Sequence, residues 1–472
     1  MIKRLAFIIE CVLLSVQFSF AQTPVSISVS SYSRPAKIPS DFIGLSFEND
    51  SLQIQDRGPN GYFFDPANRQ LVMLFKNLGV KNLRIGGGSI DSNPTPPRKD
   101  IDELFHFAKA AGVRIIYSLR LMNGNPFQDA SLAKYIWDHY RNQLVCFAIG
   151  NEPNLYNGRD PQITNDSTYF LKWKRFASVV LDSVPNAKFG GPDNGTHGTA
   201  LMKYFARHEG RSGRLSYIFA HFYVGGSSYR KSRERLVERM LSQRWDGVKY
   251  LDYFDSTGAV ALSLGIPYRL TESNSYVARM PGVWEGNNSF ATALFVLDYM
   301  HWWSVHRCAG VNFHTVIGKY NGTIYRDSLG NYHVYPMAYG IKAFDIGGQG
   351  IIDSVSIINH DGMNLTAYAV SIKANTFITI INKEHGADAR AANVRIDVPG
   401  KADSVMYLKS PGGNAFAAHG VKLGGASISG NTTWEGKWSV ITSGREADCR
   451  VEVPPTSAAI VKIVNRSNNR RP

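Results

Sequence analysis

Residues 145–156 read V-C-F-A-I-G-N-E-P-N-L-Y. The apolar run Val145–Ile149 is too short for a helix and fits a strand buried on both faces. Gly150 and Pro153 then interrupt the regular backbone, and the polar pair Asn151–Glu152 stands where the strand ends. The pattern recurs along the chain. Further apolar runs occur at Phe42–Phe47, Asn82–Gly86, Arg114–Leu119, Ala187–Gly190, Ser216–Phe222, Ile266–Thr271 and Gly310–Phe313, which makes eight. Between them lie segments with apolar residues at helical spacing, such as Ile101, Leu104, Phe105 and Ala108, or Phe170, Trp173, Phe176, Val180 and Leu181. Gly79 and Gly112 stand where helices should stop before the next strand. Eight strands alternating with helices over about 300 residues predict an α/β chain built on a (β/α)8 TIM barrel. A doubly wound open sheet is the alternative.

From about Phe344 the texture changes. Period-2 stretches at Leu365–Ile372, Thr376–Ile381, Val394–Val398, Ser404–Leu408 and Ala459–Val464 are separated by Gly, Asn and Asp clusters. They predict an accessory C-terminal antiparallel β-sandwich. Val25–Ser30 also alternates, and a closed barrel has no edge to pair it with. It is expected to join the C-terminal sheet. The domains expected are therefore a barrel at 42–343 and a sandwich made of 22–41 plus 344–465, with a disordered polar tail at 466–472.

The 472 residues are 44% hydrophobic and 19% charged, a composition that excludes a disordered chain. Lys3 and Arg4 precede an apolar stretch, and Ser19-Phe20-Ala21 supplies small residues at the positions a signal peptidase reads. Residues 1–21 thus read as a secretory signal, with export to the periplasm or the extracellular space and no integral membrane span in the mature chain. The net charge of +14 invites a polyanionic partner. Export makes that partner a glycan rather than nucleic acid. After the signal is removed, Cys146, Cys308 and Cys449 remain, too few and too scattered for a disulfide framework, and they read as small buried hydrophobes.

Barrel enzymes carry their reactive groups just past the C-terminal ends of the strands. Glu152 lies three residues past Ile149, and Glu272, in Y-R-L-T-E-S-N-S-Y, lies two past Leu270. Two carboxylates thus emerge on one rim, from the fourth and seventh strands. Retaining glycoside hydrolysis needs such a pair about 5–5.5 Å apart: one acid to protonate the leaving oxygen, one carboxylate to attack the anomeric carbon. The acid must have its pKa raised by desolvation and by its partner's charge, and the nucleophile must stay ionised among hydrogen-bond donors. Glu48 after the first strand, Asn123 after the third and His221 after the sixth are further cleft candidates. No G-x-S-x-G, G-x-x-x-x-G-K-[ST] or H-E-x-x-H occurs, and two-carboxylate hydrolysis needs neither metal nor cofactor.

The ordered segments F-I-G-L-S-F-E, L-R-I-G-G-G-S-I-D, I-G-N-E-P-N-L-Y, G-G-P-D, H-F-Y, L-T-E-S-N-S-Y, S-F-A-T-A-L-F-V-L-D-Y and G-V-N-F-H resemble glycoside hydrolase family 79. This is the β-glucuronidase and heparanase-like family within the clan A glycoside hydrolases. The resemblance implies an exo-β-glucuronidase with Glu152 as acid/base and Glu272 as nucleophile. It implies that Asn151 touches the sugar 2-hydroxyl, that Tyr223 hydrogen-bonds the nucleophile, and that Asp91 contacts ring hydroxyls. It also implies that the substrate carboxylate is met by Tyr276 and by the Lys319–Tyr320 pair, where Lys319 departs from the Gly usual in the family. That departure keeps three alternatives open: a neutral β-glycosidase of the same fold, a heparanase-like endo-β-glucuronidase, and a non-catalytic carbohydrate-binding protein.

Overall fold

The computed structural model describes residues 22–33, 35–53, 58–277, 288–316, 322–441 and 449–465. The leader at 1–21, the tail at 466–472, Lys319 and Tyr320 lie outside the described residues. After β1 (Gln22–Ser31), eight parallel strands close a barrel: β2 (Ile43–Glu48), β3 (Asn82–Gly86), β4 (Arg114–Leu119), β5 (Leu144–Ile149), β6 (Phe189–Asn194), β7 (Leu215–Tyr223), β8 (Tyr268–Asn274) and β9 (Val311–His314). Each of the eight apolar runs corresponds to one barrel strand. The helix Arg98–Ala111 ends at Gly112, whose left-handed φ of 73° a residue with a Cβ adopts only with strain.

Alternation along the strands sorts the side chains. Leu83, Ile85, Phe147 and Ile149 belong to the large core shared with the helices. Ile116, Cys146, Ala148 and Phe219 form a small apolar layer of their own. The rest of the buried barrel residues include a polar set, with Ser46, Arg84, Ser118, Asp193, His221, Thr271 and Asn312 all essentially without solvent contact.

Two strands run further than their apolar runs predict. β6 continues through Pro192-Asp193-Asn194, and β8 continues to Asn274. In both, the pairing register slips, between Pro192 and Asn194 on β6 and between Leu270 and Ser273 on β8. Such bulges re-aim side chains. Here Asp193 adopts φ 63°, and Thr271 and Glu272, although adjacent, both reach partners in the buried polar set.

The C-terminal segment forms a curled, mainly antiparallel sheet of ten strands. β1 lies inside it, antiparallel to Ile351–Ile358 and parallel to Ala391–Asp397. Val25, Ile27, Ile378, Ile380, Val394, Val461 and Ile463 fill its own core. Alternate residues of the same strands, Met406, Leu408, Ala458 and Ile460, join the barrel's core instead, so these strands are buried on both faces. The helix Phe290–Val305 is apolar almost all round because it is wedged between barrel and sheet. His301 on this helix stacks flat against Tyr368 of the sheet at 4.9 Å, and burial pushes its pKa down to about 3. Cys146, Cys308 and Cys449 are free and buried. Among the described residues no helix is long and apolar enough to cross a membrane.

Candidate active site

At the C-terminal end of the barrel a cleft of about 890 Å³ opens between the loops that follow β5, β6 and β7. Glu152, Tyr223 and Glu272 stand in its lining, together with Asn154, Thr196 and Tyr253. The two glutamates differ sharply in environment. The Glu152 side chain is 25% exposed and the Glu272 side chain 10%.

Glu272 is held by donors on both oxygens. Tyr223 donates its hydroxyl to Oε1 at 2.6 Å, and Arg84 donates from Nη1 to Oε2 at 2.8 Å. His221 and His314 each bring a ring nitrogen to 3.8 Å from Oε2. Burial opposes ionisation, but the charges of His314, His221 and Arg84 and the Tyr223 hydrogen bond outweigh it, and the carboxyl pKa falls to about 2. These donors favour Glu272 as the carboxylate.

Glu152 sits on a sharp turn. Its own φ is 47°, and Gly150 before it has φ 90°. The strain is tied down from outside: the Glu152 N–H donates to the Asp193 carbonyl at 2.9 Å, and the Asn151 N–H donates to the Tyr156 hydroxyl at 2.9 Å. His221 Nδ1 is 3.1 Å from Glu152 Oε1. One imidazole nitrogen therefore touches both carboxylates, which limits those two oxygens to a separation of about 7 Å at most.

Beneath the glutamates lies a buried ionic layer. Arg84 is its centre, donating from Nη2 to Asp193 Oδ2 and to Asn151 Oδ1, each at 2.6 Å, and from Nη1 to Ser46 Oγ at 3.1 Å. Asp193 Oδ1 accepts the Thr271 hydroxyl and lies 3.1 Å from His221 Nε2. Burial would raise the Asp193 pKa, but Arg84 and His221 hold it well below the usual carboxylate range. Burial likewise would lower that of His221, but Asp193 and Glu272 push it up to about 10, so the ring is an imidazolium.

The remaining sequence candidates divide. Asn151, Tyr223 and His221 converge on the glutamates, although His221 is fully buried and meets carboxylates rather than the cleft surface. Glu48 is spent on the chain itself: its carboxylate accepts the N–H groups of Gly88 and Ser89, at 3.3 and 2.8 Å, and lies 3.6 Å from His314. The carboxylate packs so closely on Gly87 that a Cβ there would meet it at 2.3 Å. Asp91 is buried beneath the rim, accepting the Tyr156 hydroxyl at 2.6 Å, and burial raises its pKa to about 7 against that hydrogen bond. Its side chain braces the Asn151 turn rather than facing a ligand.

Two candidates are not brought to the cleft. Tyr276 is wholly buried, with its ring against Trp245 and directly behind Gly225, and Val277 takes the lining position instead. Asn123 belongs to a separate concavity with Arg98, Arg120 and Tyr135, and its N–H is bound to Asp160. Sequence reasoning passed over Arg84, Asp193, Tyr156, Thr271 and His314. An arginine inside the apolar run N-L-R-I-G was the available signal for the first of these.

No family model matches the chain. A 142-residue stretch is 26% identical to heparanase from Bos taurus, covering 29% of this chain and 26% of that protein. Solved structures are similar over nearly the whole chain. A 4-O-α-L-rhamnosyl-β-D-glucuronidase from Fusarium oxysporum 12S superposes with a TM-score of 0.71 at 15% identity, over 93% of this chain and 100% of that one. A family 51 arabinofuranosidase from Xanthomonas axonopodis pv. citri gives 0.70 at 15% identity, over 94% and 100%. A family 44 xyloglucanase from Paenibacillus polymyxa gives 0.62 at 11% identity, over 94% and 100%. The fold is shared. It is common to solved structures named as a rhamnosyl-glucuronidase, an arabinofuranosidase and a xyloglucanase.

Proposed function

We propose that the protein is a retaining glycosidase in which Glu272 is the nucleophile and Glu152 the acid/base. The observation that carries this reading is the asymmetry of two carboxylates joined by one imidazolium. Glu272 is buried, ionised and held on both oxygens, whereas Glu152 is partly open to the cleft. Glu272 attacks the anomeric carbon, and the bond to the leaving oxygen breaks as that oxygen takes the Glu152 proton. Water then attacks the glycosyl ester, giving its proton to Glu152 and releasing Glu272. Asn151, fixed by Arg84, is the group set to bind the sugar hydroxyl beside the reacting carbon.

Two sugars compete for the reacting position. A neutral glycoside has the support of several arabinofuranosidases among the structures that share the whole fold. A β-glucuronide has the support of the rhamnosyl-glucuronidase and of the heparanase stretch. It is also favoured by the cationic rim of the cleft. Lys249, in the cleft lining, donates to the Val224 carbonyl at 2.9 Å, and Lys231 donates to the Gly225 carbonyl at 3.0 Å. Arg239 and its neighbours Arg235 and Arg244 lower the pKa of one or both, after the larger effect of burial. The neutral glycoside is the reading we put first, because the cations around Glu272, Arg84 and His221, are both buried and already engaged with carboxylates of the chain.

A panel of aryl arabinofuranosides, glucosides, galactosides, glucuronides and 4-O-methylglucuronides tests both levels. Turnover is expected on at least one of them, with the first-formed sugar keeping its anomeric configuration and Glu272→Ala abolishing the reaction. An inverted first product would overturn the retaining mechanism. Glucuronide preference would overturn the choice of a neutral sugar and leave the mechanism standing.

A further inference from the structure

Arg84, His221 and Asp193 are three charged side chains sealed under the two glutamates, each 1% exposed or less. Two are cations and one is an anion. We infer that Asp193 is a positioning residue that sets the proton count of the Glu152–Glu272 pair, because it leaves one buried positive charge uncompensated, enough to balance one ionised glutamate and not two. The inference rests on the glycosidase reading.

The contacts single Asp193 out. Its Oδ2 binds Arg84, which binds Glu272; its Oδ1 faces His221, which binds Glu152; and its carbonyl holds the Glu152 N–H. It also accepts the hydroxyl of Thr271, the residue before Glu272. Both glutamates are therefore tied to this one aspartate through backbone and side chain, at the bulge where β6 slips register. That His221 stays protonated and Asp193 ionised fits the count.

The count accounts for how one pair serves both half-reactions. In the free enzyme Glu272 is ionised and Glu152 carries the proton, so the buried layer and the pair together are neutral. In the glycosyl-enzyme Glu272 is an uncharged ester, the proton has left on the leaving oxygen, and Glu152 is the carboxylate. The sum is again neutral. Discharging Glu272 and deprotonating Glu152 are thus one event in a site of low dielectric, where a second uncompensated charge is costly. The other groups facing the pair do not upset this. His314 lies between the carboxylates of Glu272 and Glu48, at 3.8 and 3.6 Å, and bridges them rather than Asp193. Tyr223 donates as a neutral phenol, and Lys249 and Asp252 on the outer wall of the cleft are of opposite sign.

The test is a pair of variants expected to shift the pH profile in opposite directions. Asp193→Asn removes the anion between Arg84 and His221, and the basic limb of kcat/KM on an unactivated glycoside should fall by about one pH unit or more. His221→Gln lowers the surplus to zero, and the acidic limb should rise by a similar amount. The same shifts are read without turnover by following the carboxylate infrared band that Glu152→Gln removes. Its titration should move down in Asp193→Asn and up in His221→Gln. If both variants lose rate with unmoved limbs and an unmoved band, Asp193 is structural only and the inference falls. If Asp193→Asn does not fold, His221→Gln decides alone. Failure of the wild-type enzyme to turn over any glycoside would sink the proposed function, whereas the infrared titration would still decide the charge count.

Discussion

The molecule buries two clusters of opposite charges, and they differ in what they leave open. In the barrel, Arg84, His221, Asp193 and Glu272 form a layer whose upper edge is Glu152, partly exposed to the cleft. Between barrel and sheet, Lys383 pairs with Asp246 at 2.6 Å and Asp298 at 3.3 Å, while Thr366 and Tyr368 donate to Asp298 at 2.6 and 2.9 Å. That second cluster joins the helix Phe290–Val305 to the sheet. Its carboxylates outnumber its cation, and the Asp246 pKa is raised, first by burial and then by the charge of Asp298. The barrel cluster sets two cations, Arg84 and His221, against two buried carboxylates, Asp193 and Glu272, and holds both of these ionised. Burial of charge is common to both. Of the two, the first has cations enough for every buried carboxylate and a further, partly exposed carboxylate above them, and that arrangement is what acid–base chemistry can use.

The comparison breaks most visibly at its two central cations. Arg84→Met removes the donor to Glu272 and to Asn151 together, and kcat/KM is expected to fall about 10³-fold, the loss typical of a preorganised donor at a reacting charge. Lys383→Met leaves two buried carboxylates without a cation and is expected to cost about 3–5 kcal/mol of stability in denaturant unfolding. The kcat of the folded fraction should stay within about twofold. If Lys383→Met slowed turnover as Arg84→Met does, the clusters would not be functionally distinct.

The sequence revealed the barrel strands because each must be apolar on the face turned to the helices. It revealed Glu152 because Asn-Glu-Pro follows such a run. The ionic layer was harder to read. Pro192-Asp193-Asn194 looks like a turn, and only the register slip on β6 makes Asp193 an interior residue. Glu272 was found, but as a residue past a strand end, whereas it is inside β8 at a bulge. The family resemblance implies a cleft position for Tyr276, and a resemblance cannot register that Gly225 leaves room for its ring to sink behind the wall. The strand Ile351–Ile358 escaped detection because its exposed half carries no alternation in burial. The Lys383 cluster joins helix and sheet residues with no local pattern to link them.

A smaller effect separates the clusters by pH. Glu272 has its pKa depressed to about 2 from an ordinary value near 4.3, so its contribution to stability is complete above the unfolded value and is lost as pH falls toward 2. Asp246 is shifted upward, so what it contributes is present below the unfolded value and lost as pH rises through the folded one. Glu272→Gln should therefore flatten the acid side of the stability profile, where each proton taken up accounts for at most about 1.4 kcal/mol per pH unit. Asp246→Asn should flatten the profile on the other side. Equal acid slopes in wild type and Glu272→Gln, measured by urea unfolding at a series of pH values, would remove the distinction.

The smallest effect sharpens the contrast between buried and exposed charge. Arg235 and Arg244 are exposed and Arg239 half-buried on the segment that follows β7, near Lys231 and Lys249. Glu234 and Glu238 lie on the same helix, yet none of the three arginines is within ion-pair distance of a carboxylate among the described residues. Such cations act on approaching anions through solvent and are screened beyond about 8 Å at physiological ionic strength. Replacing Arg235 and Arg239 with Gln should lower kcat/KM on an acidic oligosaccharide by about two- to fivefold at low salt, and by much less on a neutral one. The difference should disappear near 1 M salt, where screening acts within about 3 Å. Arg84, sealed in the barrel, is beyond the reach of that screening, so the loss caused by Arg84→Met should be the same at both salt concentrations. A salt-sensitive Arg84 defect would mean that water and ions enter the layer, and the buried charge would then be no different in kind from the rim.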